Sequence, residues 1–109
     1  MALTLSNNLV KVTATVEGSA ETVHTASVNN TKVVGIRAAN IDGVNSADIN
    51  LFIANGGTNY YICKDVPVPA GGSIELGSGE FAIKSGDVVK VFASAASDID
   101  LILSYAEIS

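Results

Sequence analysis

The sequence predicts an all-β domain, an antiparallel β-sandwich of about eight or nine strands with jelly-roll or immunoglobulin-like topology. Three observations carry this. Apolar residues make up 48% of the chain and charged residues 16%, and with no Trp and 6% aromatics the core falls to Val, Ile, Leu and Ala. The β-branched members of that set favour pleated, half-buried surfaces. Period-two alternation recurs along the chain, punctuated by Gly, Pro, Asn and Asp, and no segment of helical period with caps interrupts it. At 109 residues the chain fits one domain, 1–109, built on one core.

The elements follow in order. Val10, Val12, Ala14 and Val16 alternate with Lys11, Thr13 and Thr15, a strand with one wet face that Gly18-Ser19 breaks. Thr22 to Val28 is a β-branched strand ending at the turn-forming Asn29-Asn30. From Lys32 to Asn40, Val34, Ile36 and Ala38 share one face, opposite Val33, Gly35, Arg37 and Ala39. After the turn residues Asp42-Gly43 and Asn45-Ser46, the residues Ala47, Ile49, Leu51 and Ile53 alternate with Asp48, Asn50 and Phe52. The segment from Asn55 to Asn59 then reads as a hairpin loop of about five residues, so the strands on either side of it pair. Tyr60 to Val66 returns, and Pro67 and Pro69, which lack amide donors, make the following stretch a bend or an edge. Short strands at Ser73–Leu76 and Phe81–Lys84 and longer ones at Val88–Ala93 and Ile99–Ile108 complete the set.

Charge and chemistry exclude several functions. A net charge of −5 with six Lys and Arg argues against a nucleic-acid partner, whose binding needs several cationic contacts to phosphate. There is no run of about 18 apolar residues for a membrane span, and Met1 to Asn8 lacks the basic and apolar regions of a signal peptide. Asn29-Asn30-Thr31 matches a glycosylation sequon but reads as a turn. The lone Cys63 sits in an apolar run and reads as a small core residue. His24 is the single histidine and reads as structural, so neither a catalytic Ser or Cys pairing nor a zinc cluster can be assembled. Asp98 and Asp100, even with Asp42 or Asp48, read as solvated acids rather than a calcium site. Gly71-Gly72, Gly77 and Gly79 precede no helix and therefore cradle no phosphate. The expectation is a non-enzymatic domain with no cofactor, no catalytic residues and no metal.

Such a domain acts through its surface. The final strand alternates Leu101, Leu103 and Tyr105 with Ile102, Ser104 and Ala106, so Ile102, Ala106 and Ile108 have no place in a one-sided core. Either a second sheet of the same chain or a neighbouring subunit covers them. Tyr60-Tyr61 beside the polar loop holding Asn55 and Asn59 forms a second candidate surface, a carbohydrate platform. Neighbours in a strand point to opposite faces, so only one of the two tyrosines can serve a given ligand.

The order of motifs also carries a resemblance. Lys32-Val33-Val34-Gly35-Ile36-Arg37-Ala38-Ala39-Asn40 is followed by the run from Tyr60 to Leu76 with its Val66-Pro67-Val68-Pro69-Ala70-Gly71-Gly72 bend. Then come Ser85-Gly86-Asp87-Val88-Val89-Lys90-Val91 and the ending Leu103-Ser104-Tyr105-Ala106-Glu107-Ile108. From Thr22 to Ser109 the chain resembles small virion structural proteins of tailed bacteriophages. The resemblance implies a β-sandwich located in the virion and assembled in the host cytoplasm. It implies a head decoration (cement) protein that bridges major capsid protein subunits, or a tail fibre or neck accessory or receptor-binding module. The partners implied are the major capsid protein or another virion protein, with a homo-oligomer, a trimer, as the working form. Residues 1–8 then read either as an extended N-terminal arm reaching a neighbour through Leu3 and Leu5, or as the first strand of the same domain.

Overall fold

The computed structural model describes residues 3–28, 30–76 and 80–108. Nine strands follow one another: β1 (Leu3–Val12), β2 (Glu21–Thr25), β3 (Thr31–Asn40), β4 (Ala47–Asn55), β5 (Thr58–Val68), β6 (Ser73–Leu76), β7 (Phe81–Ile83), β8 (Val88–Ala93) and β9 (Ile99–Ile108), with one 3-10 turn at Glu17–Ser19. Sheet I has the order β1-β9-β3-β6, with β7 also on β3, and sheet II has the order β2-β8-β4-β5. Every pairing is antiparallel.

The pairs are nested. β4 closes on β5 as a hairpin, β3 on β6 and β7, β2 on β8, and β1 on β9. Laid out flat this is one long hairpin; rolled up so that alternate pairs join opposite sheets, it is a jelly roll. That settles the choice left open between jelly-roll and immunoglobulin-like topology. The two inner faces meet in one core, where Val12, Ile36, Ile49, Leu51, Val89, Val91, Ile99, Leu101 and Leu103 are fully buried. Interdigitated aliphatic side chains in period two supply the layer between sheets.

Several local expectations change. The first strand starts earlier than its hydrophobic alternation suggests and ends at Val12, because Ala14 is held outside the ladder by the Ala93 N–H, which donates to the Ala14 carbonyl at 3.0 Å. Residues 3–8 are paired in unbroken register to β9, from Leu3 opposite Ile108 to Asn8 opposite Leu103. They form part of the first strand; Met1 and Ala2 lie outside the described residues. In β3 the ladder to β9 shifts between Val33 and Gly35, so Val33 turns inward with Ile36 and Ala38 while Val34 turns out. One extra residue in a bulge reverses the alternation on its far side. The β4–β5 loop is two residues, Gly56-Gly57, both at positive φ (59° and 83°), rather than five. Two glycines accept the left-handed turn that matches strand twist, so pairing runs to Asn55 opposite Thr58. Pro67 falls within β5, the edge strand of sheet II, as its missing amide requires.

Two buried polar side chains tie these corners. The Asn40 side-chain amide donates to the carbonyls of Asn45 (2.9 Å) and Val68 (3.1 Å). Its oxygen accepts the Asp42 N–H at 2.9 Å. The Asn50 oxygen accepts the Asp65 N–H at 2.8 Å, where Asp65 takes φ 53° in a β5 bulge. Each satisfies backbone groups the ladders leave free.

Candidate functional site

The outer face of sheet I holds most of the sequence-predicted surface. In β1, Asn8 reaches the Val23 carbonyl, Val10 packs on the core and Val12 is buried in it, so Leu3, Leu5, Asn7, Leu9 and Lys11 point outward. Their partners on β9 are Ile108, Ala106, Ser104, Ile102 and Asp100. Leu5 and Leu9 are 73% and 71% exposed, and Leu3, Val34, Ile102 and Ile108 join them as exposed apolar side chains. Ala106 does not: it is 5% exposed, a small side chain on the same outward positions, flanked in the ladders by Leu5 and Lys32. Leu5, Asn7, Val34 and Ser104 border an open hollow of about 600 Å³ on this side.

Three ion pairs frame this apolar strip, and they are the ion pairs found among the described residues: Lys11 with Asp100 at 2.5 Å, Lys32 with Glu80 at 2.7 Å, and Arg37 with Glu75 at 3.4 Å. All are half-exposed, so their contribution to stability is small. Their effect is to leave the face neutral. The charges outside these pairs are three lysines and eight carboxylates, a balance of −5 that equals the net charge of the whole chain.

Three of the four sheet edges are blunted. β2 is five residues with a bulge at Thr22/His24; β6 and β7 are four and three residues; β5 carries two bulges, Pro67 and the left-handed Asp65. These are the usual devices that stop a sheet edge from pairing further. β1 has none of them: ten residues, no bulge, no proline. Its one charge, Lys11, is drawn back onto Asp100 of its own sheet.

Asn55, Asn59 and Tyr60 lie elsewhere, on the β4–β5 hairpin of sheet II. Tyr60, opposite Ile53, is 59% exposed. Tyr61 is not a free platform. Its ring packs on Phe52 with centroids 5.2 Å apart, the Lys64 ammonium stands 5.4 Å over it, and its hydroxyl donates to the Glu17 carboxylate. Desolvation and that carboxylate push its pKa up to about 12. The Asn55 side chain donates to the Asp87 carboxylate, whose pKa is lowered by the Lys84 N–H and by Asn55.

The single histidine and the single cysteine each sit partly buried in the fold. His24 stacks on Tyr105 at 4.1 Å, and its Nδ1 accepts from the Asn8 amide at 3.0 Å. Its Nε2 is buried without a partner, and burial lowers its pKa against the opposing pull of Glu107. Burial raises the Cys63 thiol, against a backbone hydrogen bond from Leu51. Among the described residues no group of three or more His, Cys, Asp or Glu is placed to hold a metal ion, and no helix is long and apolar enough to cross a membrane.

No protein-family model and no curated protein matches the chain. A solved chain from the Bacillus endospore appendages, described as a novel family of disulfide-linked pili, has a similar fold. It matches with TM-score 0.59 and 13% identity, over 96% of this chain and 87% of that one. At that identity the likeness speaks to the fold alone, and it agrees with a β-sandwich.

Proposed function

We propose that the chain is a non-catalytic assembly subunit of a virion, acting as a capsid decoration protein that holds neighbouring major capsid protein subunits together through its β1–β9 face. The observation that carries this reading is the combination at β1 of a long, unblunted edge with a neutral apolar face on an otherwise acidic molecule. Exposed apolar patches of this kind mark association surfaces. The resemblance of the stretches around Val66–Gly72 and Leu103–Ile108 to tailed-phage virion proteins supplies the particle. Each copy adds buried contact between shell subunits, and many copies act together by avidity. A polymer linked by disulfides, as in the pili of similar fold, would need at least two cysteines per subunit, whereas this sequence has one.

The test is the location of the chain in purified particles, by cryo-electron microscopy. Regular density over the junctions between shell subunits is expected, with sheet I turned toward the shell. Particles without the chain on the shell overturn the reading. A chain found only on the tail moves the function to the tail fibre or neck, where the exposed Tyr60 and Asn59 favour a receptor- or carbohydrate-binding module. Glycan-array binding that Tyr60→Ala abolishes would establish that alternative.

A further inference from the structure

The β1 edge has its own complement in a second copy of itself. Pairing of two sheet edges about a twofold axis perpendicular to the sheet keeps the outer faces on the same side only if outward residues stand opposite outward residues. With Leu3, Leu5, Asn7, Leu9 and Lys11 outward, centring the axis on Asn7 meets that condition over residues 3–11. Leu5 of each copy then stands across from Leu9 of the other, Asn7 across from Asn7, and Leu3 across from Lys11. The register centred between Asn7 and Asn8 overlaps further but sets outward residues against inward ones. Centring on Asn8 overlaps residues 4–12, no less than the Asn7 register, but sets Leu9 opposite Asn7 and Leu5 opposite Lys11, so no two leucines meet; the remaining centres that respect the faces shorten the overlap.

Charge does not oppose this pairing. Two copies bearing −5 each repel wherever their acidic surfaces meet. On β1 itself the one charge, Lys11, is paired with Asp100 of its own sheet, so the two joining strands bring no unpaired charge together. An added strand also satisfies the backbone donors and acceptors that β1 leaves unpaired on its free side.

We propose that two copies join β1 to β1 with Asn7 on the twofold axis, forming one continuous sheet from both copies of sheet I. This rests on the reading of the β1–β9 face as an assembly surface and names its first occupant. The cross-strand Leu5–Leu9 contacts cover only the edge of the apolar strip, so the joined sheet still presents Ile102, Ile108 and Val34 of both copies on one side. A twofold edge contact closes with two chains, which favours a pair over the trimer implied by the resemblance.

The experiment needs no particle, so its failure is separable from failure of the decoration role. Sedimentation equilibrium of the full chain over a concentration series is expected to show a dimer. Leu5→Lys and Leu9→Lys each return it to a monomer while the far-ultraviolet circular dichroism and thermal unfolding of the monomer are unchanged. In a Cys63→Ala background, Asn7→Cys places two thiols on residues about 5 Å apart and cross-links on mild oxidation. Lys11→Cys places them about 27 Å apart and does not. A monomer at every concentration, a trimer, a dimer indifferent to both lysine substitutions, or cross-linking by Lys11→Cys in place of Asn7→Cys overturns the proposal.

Discussion

On the outer face of sheet II, Phe52 lies between Tyr61 and Phe92, with ring centroids 5.2 and 6.3 Å away, and keeps 1% of its surface exposed. On the outer face of sheet I, Leu3, Leu5 and Leu9, of comparable apolarity, stand largely in water. Both faces carry large apolar residues at the solvent positions of a sandwich. Sheet II covers its own with aromatic neighbours from the two adjacent strands and with the Tyr61–Glu17 contact; sheet I has no neighbour beyond β1 to do so. The difference shows that exposure of Leu5 and Leu9 is not simply a property of small sandwiches. The same chain closes one outer face and leaves the other open beside its one unblunted edge.

Substitutions break the comparison where it is strongest. Phe52→Ala removes the centre of the closed face and is expected to cost about 3–5 kcal/mol in urea unfolding, as a core truncation would. Next comes the pair at the β3 bulge. Val33→Ala, inside, should cost about 1.5–3 kcal/mol, the value of burying that side chain, whereas Val34→Ala, outside, should stay within about 0.5 kcal/mol. Equal costs would mean that the bulge does not set the two faces as described.

Tyr61 sharpens the same contrast through pH. Its pKa in the fold is raised from 10 to about 12. The stability this contributes is therefore complete below pH about 10 and is lost as pH rises toward 12. Tyr61→Phe should flatten that alkaline decline, read as the unfolding midpoint against pH. The smallest effect belongs to the open face: Leu9→Ser, measured at dilution where single chains dominate, should change stability by no more than about 0.5 kcal/mol. A larger loss there would show that Leu9 is already packed within its own chain.

Much of this fold is legible in the sequence because period two is local. The alternations at Ala47–Ile53 and Ile99–Leu103, a turn around Gly56-Gly57 though not its two-residue length, and a bend or edge at Pro67 though not its place inside β5, all follow from residues within a few positions of one another. Jelly-roll pairing is not legible that way: nothing near Val12 says that it lies opposite Ile99. Phe52 reads as a solvent-side residue because its alternation is correct, and its burial depends on Tyr61 and Phe92 arriving from other strands. The Val34 bulge has no turn residue beyond Gly35 to announce it. For the surface, Ile102 and Ile108 are found from the final strand alone, and Leu3 and Leu5 from their alternation. Leu9 was missed: it falls between the N-terminal segment and the strand starting at Val10, and only the register Leu9–Ile102 joins it to the patch. Ala106 follows the alternation but is too small to remain exposed between its ladder neighbours.

Both the proposed decoration role and the proposed β1–β1 pair turn on β1 being the edge through which the molecule meets its neighbours. Amide hydrogen exchange, followed across the whole chain at low and high concentration, tests this directly, with β5 as the internal reference because it is the long edge of the other sheet. The expected result is slower exchange at high concentration confined to the amides of Leu3–Val12 that point away from β9, with Thr58–Val68 unchanged. Protection gained in Thr58–Val68, or in neither strand, would contradict it.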